Sequence, residues 1–171
     1  MQNDFEQALA LAQTYEALIA EYMRAQGWWI FPTKDYAKNG APVLLGPNGA
    51  TLIVPDLFCV RGAERKWVEV KFKTDASFNI IRQRWTMGVA RRLWENYFAV
   101  REATGLPVEL LFWLDKEREI RHARIEDIEI SHKYIENKVD FGGSVFVSKD
   151  SIPVDLWMTA NFTSSFGKGA S

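Results

Sequence analysis

Apolar residues recur at helical spacing from Phe5 to Gln26, where Ala8, Leu11, Tyr15, Leu18, Ile19 and Tyr22 share a face. Asp4 is placed to cap that helix, and Gly27 to follow its last turn. Trp28 to Phe31 then reads as a short buried strand stopped by Pro32. Residues 33–50 are rich in turn formers (Asn39-Gly40, Pro42, Pro47-Asn48-Gly49) and predict a long loop or loose hairpin. Thr51–Val60 and Lys66–Lys73 read as strands joined by a turn over Arg61–Arg65. Phe78 to Ala103 predicts a long helix, with Ile81, Trp85, Val89, Leu93, Tyr97 and Val100 on one face and Gly105 as its stop. Val108–Asp115 is apolar enough for a central strand covered on both faces. Ile120–Ile130 predicts a strand with a short turn of helix, and Ser144–Val147 a further strand. The order is that of an α/β domain around a mixed sheet, spanning 1–160, with a frayed tail over 161–171.

Composition narrows the class. The 171 residues are 47% hydrophobic and 25% charged, enough apolar mass for a core. The apolar runs are too short for the roughly 18 residues of a membrane span, and the N-terminus carries no secretory pattern. One cysteine, Cys59, excludes an internal disulfide and a cysteine zinc cluster, and is expected to be an inert core thiol. His122 and His132 are a poor metal pair and are expected at the surface without a role. A soluble, reducing, cytoplasmic setting follows as the expectation. A net charge of −1 argues against a general nucleic-acid coat protein. Yet residues 61–101 carry ten Lys and Arg against four Asp and Glu, inside flanks that are net acidic. That segment is either a solvated face or a place for a polyanion.

The chemistry concentrates around Pro55-Asp56 and, after twelve intervening residues, Glu69-Val70-Lys71. On a strand Trp67, Glu69, Lys71 and Lys73 point one way, and Val68, Val70 and Phe72 the other. If Gly62-Ala63 centres a tight hairpin, Asp56 lies opposite Glu69, with Cβ atoms about 4.5–5.5 Å apart. Two ionised carboxylates at such a distance repel by about 3 kcal/mol at an effective dielectric near 20. A proton, the Lys71 ammonium or a hard divalent cation must offset this. A carboxylate pair holding Mg²⁺ beside a lysine is the apparatus of phosphodiester hydrolysis.

Pro55-Asp56 and Glu69-Val70-Lys71 together resemble the signature of the PD-(D/E)XK nuclease superfamily. That resemblance implies a restriction-endonuclease-like core (α-β-β-β-α-β), with a central mixed sheet flanked by helices. The first half is similar to the archaeal-type Holliday junction resolvases, which carry a glutamate on the first helix eleven residues before a glycine. Glu16 and Gly27 have that spacing, and on it Glu16 is preferred to Glu21. The resemblance implies a Mg²⁺ site (Mn²⁺ substituting) held by Asp56 and Glu69, with Glu16 and the carbonyl of Val70 as further ligands. Lys71 becomes the catalytic lysine. It also implies a DNA endonuclease selective for branched DNA and working as a homodimer. A flap, single-strand or duplex-end nuclease is the alternative within the enzyme class. A nucleic-acid-binding module that keeps only the fold is the alternative outside it. The compact size would also suit a phage enzyme working in the host cytoplasm.

The chain departs from those resolvases in the loop after the first strand, where Thr33 to Gly40 replaces a Ser-Gly segment. Lys34, Tyr36 and Lys38 are the candidates there for contact with a phosphate. Further candidates for DNA contact are Lys73, Arg82, Arg84 and Arg91, the last two seven apart and on one face if the segment is helical. Gln83 joins them because many superfamily members place a glutamine on this helix near the site. Trp85, Trp94, Tyr97 and Trp113 are expected in the core. Trp28 and Trp29, adjacent on a strand, must face opposite ways, leaving one free for base stacking or a dimer contact.

Overall fold

The computed structural model describes residues 2–33, 42–134, 143–156 and 159–160; of residues 2–9, 32 and 132–134 it describes the backbone alone. Lys34, Tyr36 and Lys38, and the tail 161–171, lie outside the described residues, as does the side chain of His132. Helix α1 (Gln2–Ala25) begins two residues before the predicted cap at Asp4. It ends as predicted: Gly27 adopts φ +84°, which an L side chain resists. The Gly27 and Trp28 N–H groups donate to the carbonyls of Arg24 and Met23, closing the last turn.

Strands β1 (Trp29–Pro32), β2 (Val43–Leu45), β3 (Thr51–Ile53), β4 (Leu57–Arg61) and β5 (Glu64–Lys73) follow. Then come β6 (Ser77–Asn79), β7 (Arg84–Ala90), α2 (Arg91–Thr104), β8 (Val108–Leu114), β9 (Glu119–Arg124), β10 (Ile130–Tyr134) and β11 (Ser144–Ser148). The main sheet has the order β1-β4-β5-β8-β9. Its β5–β8 pair is parallel and its other pairs are antiparallel, so the sheet is mixed as expected. A second sheet has the order β10-β11-β7-β6, and β2 pairs with β3 alone.

The main sheet separates two cores. On one face Tyr15, Ile19, Tyr22 and Met23 of α1 pack against Leu57, Cys59, Val68, Val70, Leu111 and Trp113. On the other, Trp94, Tyr97 and Val100 of α2 pack with Met87, Val89, Val145 and Val147 of the second sheet against Leu110, Phe112 and Leu114. Successive residues of β8 therefore feed opposite cores, and all seven are buried, as a strand apolar on both faces requires.

Two predicted elements are corrected. The strand over Thr51–Val60 is broken at Val54-Pro55-Asp56 into β3 and β4; Pro55 has no N–H to give a ladder. The helix over Phe78–Ala103 forms only from Arg91; before it lies the β6–β7 hairpin. Trp85 and Val89, four apart, fit helical spacing, but with Met87 between them they also alternate as a strand does, and Thr86, Gly88 and Val89 are poor helix formers. The strand is decided by β11, far along the chain, where Val89 pairs with Val145 and Gly88 with Phe146. A Cβ at Gly88 would approach the Phe146 ring to 3.3 Å, tighter than nearly all such contacts. Trp85, expected in the core, is instead exposed and edge-on to Phe78 at 5.3 Å. Trp94, Tyr97, Trp113 and Cys59 are buried as predicted.

Candidate active site

The β4–β5 hairpin turns at Gly62-Ala63, with Arg61 opposite Glu64 and Leu57 opposite Val68. The ladder ends there; one step further the same register would set Asp56 across from Glu69, and the Glu69 carboxyl feels the Asp56 charge. Leu57 and Val68 face α1, so by alternation Asp56 and Glu69 share the α2 face. Both are buried, at 3% and 5% exposure. Asp56 is fixed through main chain and side chain. Its carbonyl accepts the Thr33 N–H at 2.9 Å. Its Oδ2 accepts the Val70 N–H, also at 2.9 Å. Val70, expected as a carbonyl ligand, is thus engaged through its N–H.

Lys71 follows on the same face and pairs its Nζ with Glu69 Oε1. Burial pushes the Glu69 carboxyl above the ordinary carboxylate range; the Lys71 charge opposes this and the Asp56 charge adds to it. Sequence reasoning placed Tyr97 in the core but missed its place at the site. It is 1% exposed, its ring lies 5.9 Å from Lys71 Nζ, and its hydroxyl faces Glu69. That hydroxyl closes no hydrogen bond of ordinary geometry among the described residues. Burial, then the Glu69 charge, raises its pKa well above that of a free tyrosine. Lys73, next on this face, has its pKa lowered by burial and by Lys71. Asn96 of α2 was also missed. Its Oδ1 accepts the Ile53 N–H at 3.1 Å and its Nδ2 donates to the Ile53 carbonyl, tying α2 to the strand that leads into Pro55-Asp56.

Glu16 is buried on α1, at 7% exposure. Its neighbour Tyr15 stacks on Phe72 at 4.5 Å, which sets this stretch of α1 over the α1-facing side of β5. Among the described residues no three His, Cys, Asp or Glu side chains gather closely enough to hold a metal ion, so Asp56 and Glu69 stand as a pair. Glu21 pairs with Arg24 and is exposed. Gln83 is displaced from the predicted helix. It occupies the β6–β7 turn at φ +51° and donates from Nε2 to the Ile80 carbonyl at 2.5 Å. Arg82 sits in the same turn, Arg84 pairs with Glu129, and Arg91 opens α2 and bonds Glu95 at 2.6 Å. Arg84 and Arg91 therefore share no helix face.

His122, expected at the surface, is half-buried. Its Nε2 lies 2.7 Å from Glu109 Oε2, which also accepts Lys66 Nζ at 2.6 Å. Burial would raise the Glu109 carboxyl, but His122 and then Lys66 outweigh it and hold it at about 2. Trp28 is buried, with Arg61 and Lys66 over its ring at 4.4 and 4.5 Å, whereas Trp29 is exposed.

No family model matches the sequence, and no curated protein matches it. Among solved structures, the chain is similar to Hjc, a Holliday junction resolvase from the archaeal hyperthermophile Archaeoglobus fulgidus. The two share 11% identity over 82% of this chain and 91% of that one, with a TM-score of 0.53. It is also similar to D212, a nuclease from a fusselovirus, at 13% identity over 94% and 93% of the chains and a TM-score of 0.42. The first likeness shows the fold alone: an α-β-β-β-α-β core around a mixed sheet. Among the described residues no helix is long and apolar enough to cross a membrane.

Proposed function

We propose that the protein is a metal-dependent DNA endonuclease that hydrolyses phosphodiester bonds in branched DNA. The observation that carries this is the buried Asp56–Glu69 pair beside Lys71 on one sheet face. The fold neighbour, a Holliday junction resolvase, supports the same reading.

The donor set suits a hard divalent cation. Two buried carboxylates carry more charge than one lysine offsets, and Mg²⁺ takes one or two carboxylates while keeping several waters. Asp56 and Glu69 would hold it, with the Val70 carbonyl as a further candidate and Mn²⁺ substituting; Glu16, expected as a third ligand, does not gather with them. When bound, such an ion lowers the pKa of a water and stabilises charge on a phosphate. The chain's own residues do the rest. The Val70 N–H and Thr33 hold Asp56 in place. Lys71 positions the nucleophile and balances charge at Glu69. Lys73, Arg82, Arg84 and Arg91, with Lys34, Tyr36, Lys38 and Gln83, are candidates to contact DNA. The ion pairs of Arg84 and Arg91 are at the surface and weak enough to exchange for phosphates.

Asp56→Ala and Lys71→Ala are expected to abolish cleavage while the protein still folds, as read by circular dichroism. Full activity in Asp56→Ala would refute the assignment. A panel of four-way junction, flap, single-strand and linear duplex substrates separates the enzyme readings. Paired symmetrical nicks in the junction alone select a resolvase, which must also sediment as a dimer to cut two strands in concert.

A further inference from the structure

The α2 side of the sheet next to the acids is a ladder of aromatic rings. Register places Trp29 opposite Val60 and Val60 opposite Arg65. One repeat further, Phe31 stands opposite Phe58, and Phe58 opposite Trp67. Phe31 and Phe58 have centroids 6.1 Å apart, and Phe58 and Trp67 4.7 Å. Both ladders end one residue later, and continuing their register would put Thr33, Asp56 and Glu69 on the following rung; the Thr33 N–H donates to the Asp56 carbonyl there. The ring-bearing rung therefore lies one strand repeat, about 7 Å, from the carboxylates and on the same face.

Neither core uses the outer rings. Trp29 and Phe31, on the edge strand β1, are 74% and 56% exposed. The stripe is bracketed by cations. Exposed Arg65 lies on the Trp29 rung, and Lys71 and Lys73 lie beyond the acids. Aromatic rings between cations match a nucleic-acid strand, whose bases stack while its phosphates find the charges. Bases in a duplex are already paired and stacked, so such rings serve unpaired ones. A second copy of the chain is the competing occupant, which sedimentation velocity distinguishes from a nucleic-acid strand.

We propose that Trp29, Phe31 and Phe58 form a stacking platform for unpaired nucleobases, feeding a single-stranded segment to the Asp56–Glu69 pair. This rests on the nuclease reading and narrows its substrate toward a flap or other strand unpaired beside the cut.

The test is fluorescence anisotropy on the full chain without metal, using labelled oligo(dT) and a blunt duplex of equal length, with sedimentation velocity alongside. Each ring removed should cost about tenfold in oligo(dT) affinity, so the Trp29→Ala/Phe31→Ala double variant should lose about 100-fold, with duplex affinity changed less than about twofold. Trp29→Phe keeps a ring and should stay within about threefold of the parent, which guards against a misfolded double variant. Unchanged oligo(dT) affinity in the double variant, or equal loss on both DNAs, overturns the proposal. Conversion of a dimer to a monomer with oligo(dT) affinity intact also overturns it, in favour of a second copy. Should the parent cut no DNA in Mg²⁺ yet show ring-dependent oligo(dT) binding, the platform stands and the nuclease reading falls. Should it cut duplex yet ignore oligo(dT), the platform falls and the nuclease reading stands.

Discussion

Asp56, Glu69, Lys71 and Tyr97 set the charge balance of the site. The Asp56–Glu69 juxtaposition was legible in the sequence because it needs only strand alternation and a two-residue turn at Gly62-Ala63, and the register confirms both. Tyr97 was legible as a core residue and not as a neighbour of Glu69, since that depends on where α2 crosses the sheet. Its buried hydroxyl without a formed hydrogen bond costs stability. Tyr97→Phe is therefore expected to raise stability by about 1 kcal/mol, measured by urea denaturation; a drop of that size would show that the hydroxyl bonds Glu69.

At the scale of elements, the sequence resolved those whose pattern has one reading. Helix α1 with its Gly27 stop, β5 and β8 came out close to their predicted bounds, and the β4–β5 turn fell where it was expected. It failed over 78–90, where the same apolar residues fit both periods and β11 decides between them. It also did not reveal the clamp between α2 and β3. Asn96→Ala removes two hydrogen bonds to the Ile53 backbone. It should cost about 2 kcal/mol in thermal or chemical unfolding and lower cleavage more than stability alone explains, by loosening the approach to Asp56. The junction of β5, β8 and β9 makes a further prediction. Glu109 has its pKa depressed in the folded state to about 2. Its stabilising contribution is therefore complete above the unfolded value near 4.5 and is lost as pH falls from there toward about 2. The amount at stake is about 3 kcal/mol. Glu109→Gln should be less stable than the parent at neutral pH, with the gap narrowing through that acid window; a gap constant with pH would contradict the assignment.

For the whole molecule, the basic segment over 61–101 looked like one polyanion site, but folding divides it. Arg61, Lys66, Lys71, Arg84, Arg91 and Arg101 all pair with carboxylates, several of them from distant elements. Arg65, Lys73, Arg82 and Arg92 pair with none among the described residues. Net charge along the sequence gave the sum and not the pairing, because the partners Glu109, Glu126 and Glu129 arrive from the C-terminal half. Pattern carried the mixed central sheet covered on both faces and one exposed tryptophan of the Trp28-Trp29 pair, whereas the second sheet that completes one core depends on pairings between distant segments. The most direct test of the account is calorimetric titration of Mn²⁺ into the parent protein and Asp56→Asn. Uptake by the parent is expected, and at least about tenfold weaker uptake by the variant, which keeps its fold and loses a ligand. Equal uptake by the two, or none by the parent, would contradict it.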